Sequence, residues 1–413
     1  MSQSSRLSRR AQIMPASPIR RLAPLAAAAR KAGKTLYALN IGQPDIPTPR
    51  AILDRLRAYD AAYVPYGPSQ GSPEFIEALR RYYATVGLAL ETQEIFVTTG
   101  GSEAILFTLG ALCDPGDQVL VFEPFYTNYN GFAAMVGVEP VPVTTRAEDG
   151  YRLPARAAIE AKIGPRTRAV LICSPNNPTG TVYTDAELEM LGAICRERDL
   201  FLVSDEVYRE FVYDGRAQRS ALTLPGLDQQ VILCDSVSKR YSLCGARVGN
   251  IVSRNRAFMD AVLRLGQARL CPPTLGQYAC TALTEVPASY IQGVIAEYQR
   301  RRDVVYDALA AVPGVVVRRP EGAFYQCARL PVDDANTFAE YLLRDFALEG
   351  ETVVVAPADG FYATPGLGRD EVRLAYVLEE AKLRRAMRVL TAALAAYPGR
   401  MVDAALARPG RSG

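Results

Sequence analysis

The chain is expected to be an α/β protein, with a large unit built on a mostly parallel sheet covered by helices on both faces and a smaller α/β unit after it. Three observations predict this. Apolar runs of strand type at 118–122, 169–173, 201–204 and 231–234 alternate with helical stretches, the order that gives a parallel sheet buried on both faces. Each of these runs stops in polar residues, and in open α/β sheets ligands bind at the carboxyl ends of the strands. From Ile291 the pattern changes. Ile291, Val294, Ile295, Tyr298, Val305, Leu309 and Val312 keep a helical spacing until Pro313-Gly314, so a long helix leads into the second unit.

Length and composition bound the rest. The 413 residues, 49% hydrophobic and 22% charged, suffice for two or three structural units and a large core. We place an N-terminal arm with part of the small unit at 1–45, the large unit at 46–290, the linking helix and small unit at 291–400, and a frayed tail at 401–413. The net charge of +3 gives no basic surplus to suggest nucleic acid, and no apolar run approaches a membrane span. Eight cysteines without a C-x-x-C pair read as free thiols in a reducing, cytoplasmic setting. The chain has no histidine. That excludes Ser-His-Asp and Cys-His catalysis and any His-ligated metal, and leaves acid–base work to Lys, Asp, Glu, Tyr or Cys.

In chain order, residues 1–34 are basic and acid-free, with a helix expected over 19–32 that would lie on a partner surface. A transit peptide is the weaker reading of this start. Tyr37-Ala-Leu-Asn-Ile-Gly42 is a short strand running into a proline-rich turn, where Gly42 permits close backbone approach to a ligand. Tyr63-Val-Pro-Tyr66-Gly-Pro-Ser-Gln-Gly71 is a loop, and Ser72-Pro73 starts a helix as N-cap and first residue. Ile95-Phe-Val-Thr-Thr-Gly100-Gly101-Ser102-Glu103 reads as strand, glycine turn and helix, whose free N–H groups make an anion site. Tyr126 stands just past the run at 118–122, where a flat ring can stack on a ligand. The run at 169–173 ends in Ser174-Pro-Asn-Asn177-Pro-Thr-Gly180, and the run at 201–204 in Asp205-Glu-Val-Tyr208.

The run at 231–234 leads into Asp235-Ser236-Val-Ser238-Lys239, with Arg247 eight positions after the lysine. A lysine amine forms a Schiff base with a carbonyl once burial or a nearby cation makes it neutral. The hydroxyls of Ser236 and Ser238 and the planar fork of Arg247 suit a phosphate. An aldehyde and a phosphate on one small molecule describe pyridoxal 5′-phosphate (PLP). A lone Ser-x-Ser-Lys is more often a lysine capping a strand; the spacing to Arg247 and the companion motifs argue otherwise.

Together these motifs resemble the class I/II aminotransferases of PLP fold type I, in particular the bacterial-type aspartate aminotransferases. The resemblance runs from about Pro18 to Tyr397. Its motifs stand in family order: Asn40-Ile-Gly-Gln-Pro-Asp45, Tyr66 with Gly71, Thr98-Thr-Gly-Gly-Ser-Glu-Ala104, Ser174-Pro-Asn-Asn-Pro-Thr-Gly180, Ser204-Asp-Glu-Val-Tyr208, Ser236-Val-Ser-Lys239 and Val372-Arg-Leu-Ala-Tyr376. The resemblance implies a PLP enzyme that transfers an amino group between an L-amino acid, aspartate by default, and 2-oxoglutarate. It makes Lys239 the cofactor lysine and proton carrier, Asp205 the partner of the pyridine nitrogen, and Asn177 and Tyr208 the partners of the ring 3-oxygen. It further implies Gly101, Ser102, Ser236, Ser238 and Arg247 around the phosphate, Tyr126 stacked on the ring, and Arg373 with Gly42 at the substrate carboxylate. Tyr66 is expected to reach the site of a second copy, in a homodimer with shared active sites. Cys244-Gly-Ala-Arg247 departs from the family's Thr-Gly-Trp-Arg, Tyr126 replaces a frequent tryptophan, and Gly360-Phe-Tyr-Ala-Thr-Pro-Gly366 replaces a commoner turn. For the distal carboxylate of a dicarboxylic substrate, the candidates are Arg269, which lies where members of the family approach the neighbouring site, and Arg20 and Arg21 in the N-terminal arm. The same constellation also serves a β-lyase, a cyclising synthase or an oxidase. A regulator's effector domain is disfavoured, because about 35 residues precede the fold and a winged helix needs more.

Overall fold

In the computed structural model, residues 6–15 and 18–401 are described. The expected tail therefore lies outside the described residues beyond Met401.

Thirteen strands form among the described residues: β1 (Thr35–Ala38), β2 (Ile95–Thr98), β3 (Gln118–Glu123), β4 (Glu139–Thr144), β5 (Thr167–Cys173), β6 (Phe201–Asp205), β7 (Val231–Ser236), β8 (Gly249–Val252), β9 (Val316–Val317), β10 (Tyr325–Arg329), β11 (Glu351–Val354), β12 (Ala356–Pro357) and β13 (Glu371–Ala375). Seven make the central sheet in the order β2-β8-β7-β6-β5-β3-β4. All its pairings are parallel except those of β8, which runs antiparallel between β2 and β7. The central strands β5, β6 and β7 are almost continuously buried, as a sheet covered on both faces requires. The helix Gly100–Leu112 packs on β7 and β8, and Asp185–Arg198 adds its buried Leu188, Leu191 and Ile194 to the core on another face of the sheet.

The order of the sheet sets where the site falls. β5, β6 and β7 are in parallel register, so Cys173, Asp205 and Cys234 end side by side, and the segments after them emerge together. The four-stranded sheet β12-β13-β10-β9 and the two-stranded sheet β1-β11 form the second body of strands. They share a hydrophobic cluster with the long helix Ala288–Ala310 and the last helix Glu380–Ala396. β13 brings Arg373, 1% exposed, up to β10.

Two strands of the central sheet escaped the sequence pattern. β4 carries Pro140 and Pro142, tolerated because it lies at the sheet edge. β8 is only four residues long. The N-terminal helix is also shorter than expected, Ala23–Lys31. Its face bearing Leu22, Ala26 and Ala29 is buried within the same chain, where the helix packs on Ala335–Arg344. That corrects the expectation of a partner surface for that face. Ser72 caps Pro73–Thr85 as expected, its hydroxyl accepting from Phe75 N at 3.3 Å.

Candidate active site

A single cleft of about 330 Å³ opens at the carboxyl ends of the central strands, and its wall includes Gly42, Gly101, Ser102, Tyr126, Asn177 and Asp205. Tyr208, Ser236, Ser238, Lys239, Arg247 and Arg373 also line it. These twelve residues, drawn from stretches as distant as 42 and 373 in sequence, are thus brought together.

Lys239 sits on the short helix Val237–Arg240, which Ser236 caps through a 3.0 Å bond from Ser238 N. The helix is pinned from behind by Arg240, 1% exposed and ion-paired to Asp235 and Glu210, each at 2.8 Å. The lysine Nζ donates to Gly42 O at 2.9 Å and lies 3.9 Å from Cys244 Sγ. Gly42 is required there, because a Cβ would overlap the Tyr325 hydroxyl.

One end of the cleft gathers groups that could hold an anion. The helix Gly100–Leu112 starts there, so Gly101 and Ser102 present its unbonded N–H groups. Gly100 has φ +73°, and a Cβ on it would overlap the Arg247 guanidinium. Ser236 and Ser238 hydroxyls lie 2.6 Å apart beside this start. Arg247 bonds only backbone carbonyls, those of Cys244 (3.0 Å) and Thr99 (3.5 Å), and has no ion pair among the described residues.

Asp205, at the end of β6, is the one carboxylate on the cleft wall among the described residues. It accepts from Tyr129 Oη at 2.6 Å and from Val207 N at 3.3 Å. Burial pushes its carboxyl up to about 6, the Tyr129 bond works against that, and the charge of Asp235 behind it adds to the rise. Tyr208 shares a 2.9 Å hydrogen bond with Tyr325, and burial raises its phenol well above the usual range. Tyr126 Oη accepts from Asn128 Nδ2 at 2.8 Å, and burial pushes its phenol up to about 12.

Arg373 donates to Asn177 Oδ1 at 3.1 Å and to Asn40 O at 2.5 Å, and lies over the rings of Tyr325 (4.5 Å) and Phe361 (5.0 Å). Its Nε has no partner, and no carboxylate pairs with it among the described residues. A fully buried guanidinium without an anion is costly.

The three candidates for a distal carboxylate separate cleanly. Arg269 is turned away: it pairs with Glu103 at 3.3 Å and donates to Ser69 O and Val97 O. Arg21 donates to Asn336. Arg20 lines the cleft. Tyr66 stands outside the cleft, 81% exposed. Tyr129, Tyr325, Cys244 and Asn40 were not anticipated. A signal existed for Tyr129, one helical turn after Tyr126; Tyr325 and Asn40 take part only through tertiary packing.

The model of the family described as aminotransferase class I and II matches residues 34–390. An aspartate aminotransferase of Rhizobium meliloti is 33% identical over 91% of this chain and 93% of its own length. An arginine–pyruvate transaminase of Pseudomonas aeruginosa is 33% identical over 86% of this chain and 89% of its own. Among solved structures, the Thermus thermophilus aspartate aminotransferase with maleate superposes with a TM-score of 0.85 at 32% identity, covering 94% of this chain and 99% of that one.

Proposed function

Because the chain belongs to the class I and II aminotransferases, which are PLP-dependent enzymes, we propose that it moves the amino group of L-aspartate to 2-oxoglutarate, the two substrates using one cleft in turn. The aspartate aminotransferases among its relatives support that pair. One observation carries the reading: the cleft is lined by four cationic side chains, Arg20, Lys239, Arg247 and Arg373, against the single carboxylate of Asp205. None of the four has an acidic partner among the described residues. Such an imbalance is stable when anionic ligands complete it.

The residues fit PLP. The unpaired Arg247, the helix start at Gly101 and Ser102, and the hydroxyls of Ser236 and Ser238 suit a phosphate dianion. Bound there, PLP supplies an aldehyde carbon that an amine can join and a ring that takes up the electron pair left when a bond at the substrate α-carbon breaks. Asp205 would keep a proton on the ring nitrogen, which its buried charge favours. Asn177 and Tyr208 would hold the ring 3-oxygen, and Tyr126 would offer its ring to the cofactor. Arg373 grips the α-carboxylate beside Gly42, fixing which α-carbon bond stands ready to break. Lys239 carries the proton from that carbon. In a chain without histidine no commoner base competes with it. A second copy completes the site with its own Tyr66, which accounts for a tyrosine so exposed in one chain. Eight unpaired cysteines, six of them buried, accord with a reducing cytoplasm. Among the described residues no helix is long and apolar enough to cross a membrane.

The test is the absorbance of the purified, PLP-loaded protein with single L-amino acids. The cofactor band should disappear with L-aspartate or L-glutamate and return on adding 2-oxoglutarate, and Lys239→Ala should abolish turnover in a protein that stays folded. A band that no amino acid shifts, or an active Lys239→Ala variant, would remove the assignment.

A further inference from the structure

Three of the four cleft cations have a use in the reading above: Lys239 for the amine chemistry, Arg247 for the phosphate, Arg373 for the α-carboxylate. Arg20 is left over. Its guanidinium makes no hydrogen bond or ion pair among the described residues, although it stands on the cleft wall with Ile19, Ile41 and Phe132.

Arg20 is also positioned, by two separate ties to the Arg373 environment. Asn40 donates through Nδ2 to Ile19 O at 3.2 Å, while its own carbonyl accepts from Arg373. One residue thus holds the backbone next to Arg20 and the guanidinium for the α-carboxylate. The second tie is steric. Pro18 lies so close to Gly360 that a Cβ there would come within 2.5 Å of Pro18 Cβ. The next residue, Phe361, is the ring under Arg373 and accepts a bond from Phe125 N, one residue before Tyr126. The unusual turn at 360–366 therefore works as a seat for the segment 18–20. Loop 361–364 is itself fixed by Glu123, whose carboxylate accepts from Ala363 N (2.9 Å) and Thr364 N (3.0 Å).

We propose that Arg20, supplied by the same chain, reads the side-chain carboxylate of the dicarboxylic substrate, in a cleft whose apolar lining includes Ile19, Ile41 and Phe132. This rests on the aspartate reading and specifies it. The two anions of the substrate meet two unpaired guanidinium groups tied together through Asn40, and neither Arg269 nor Arg21 is free to do the same.

The experiment uses PLP-loaded full-length protein, wild type, Arg20→Ala and Arg20→Lys. It measures kcat/KM for L-aspartate and L-alanine and the dissociation constants of succinate and butyrate, which do not react. Loss of a charge-assisted contact is worth about 10- to 100-fold. Arg20→Ala should therefore lower kcat/KM for L-aspartate and weaken succinate by that factor, leave L-alanine and butyrate within about threefold, and Arg20→Lys should restore part of the loss. If wild type prefers L-aspartate and binds succinate tightly but Arg20→Ala changes neither, the proposal is overturned and the aspartate reading stands. If Arg20→Ala harms both amino acids equally, Arg20 shapes the cleft without reading charge, and the proposal is again overturned. If wild type uses L-alanine as well as L-aspartate and binds succinate no better than butyrate, both fall together.

Discussion

Replacing Asp205 by Asn should make the cofactor-free protein more stable while disabling it. The buried carboxyl titrates at about 6 in the fold, against about 3.9 in an unfolded chain. A carboxyl raised in this way favours the fold at low pH; that contribution is whole below the unfolded value and is lost as pH rises through 6. At pH 8 the folded protein therefore carries an ionised carboxylate that costs about 3 kcal/mol, from two pH units at about 1.4 kcal/mol each. Asn has nearly the same shape and can still accept from Tyr129, but has no charge to desolvate. Asp205→Asn should thus gain up to about 3 kcal/mol at pH 8, and about half of that at pH 5. Urea unfolding of both cofactor-free proteins across that range measures it. PLP should then raise the melting temperature of wild type more than that of the variant, since only the carboxylate pairs with a protonated ring nitrogen. A stability difference that does not change with pH, or an equal gain from PLP in both proteins, would refute the account of Asp205.

Two further outcomes follow from the packing. Gly249→Ala places a Cβ 2.7 Å from Gly101 N and 2.8 Å from Asp235 O, backbone atoms that cannot swing aside, so the helix start must shift; the PLP dissociation constant should rise by about tenfold or more, read by fluorescence titration. Arg269→Met strands the half-buried Glu103, whose carboxylate also accepts from Thr99 N at 2.8 Å; it should cost about 2–3 kcal/mol in urea unfolding and leave the preference for L-aspartate over L-alanine unchanged, whereas a changed preference would return Arg269 to the substrate site.

Much of the site was legible because its residues follow strand ends, where local spacing fixes direction. Asp205 and Tyr208 come straight after β6, and Lys239 and Arg247 after β7, so pattern alone brought them to one rim. The misses have physical causes. β8 is four residues long, and although β7 on one side is near in sequence, its other neighbour, β2, ends at Thr98, far earlier in the chain. β4 is broken by two prolines that only an edge position allows. Arg20, Arg21 and Arg269 are alike in sequence. What separates them is where Glu103, Asn336 and Asn40 lie in space, which no window of sequence records. Tyr325 belongs to the second body of strands, and its bond to Tyr208 exists only once the two bodies meet.

The placement of β8 also has a consequence for biosynthesis. β2 lies at the sheet edge and pairs only with β8, Ile95 to Val252 and Thr98 to Gly249. On the ribosome, Ile95-Phe-Val-Thr98 must wait unpaired until residue 252 has emerged, and contacts that distant in sequence form slowly. A nascent or truncated chain ending before β8 therefore presents an apolar strand with both edges open, a template for aggregation. Such a chain also lacks one wall of the anion cradle, so added PLP should not rescue it, and the demand for chaperones should be greatest while the first 250 residues are being made.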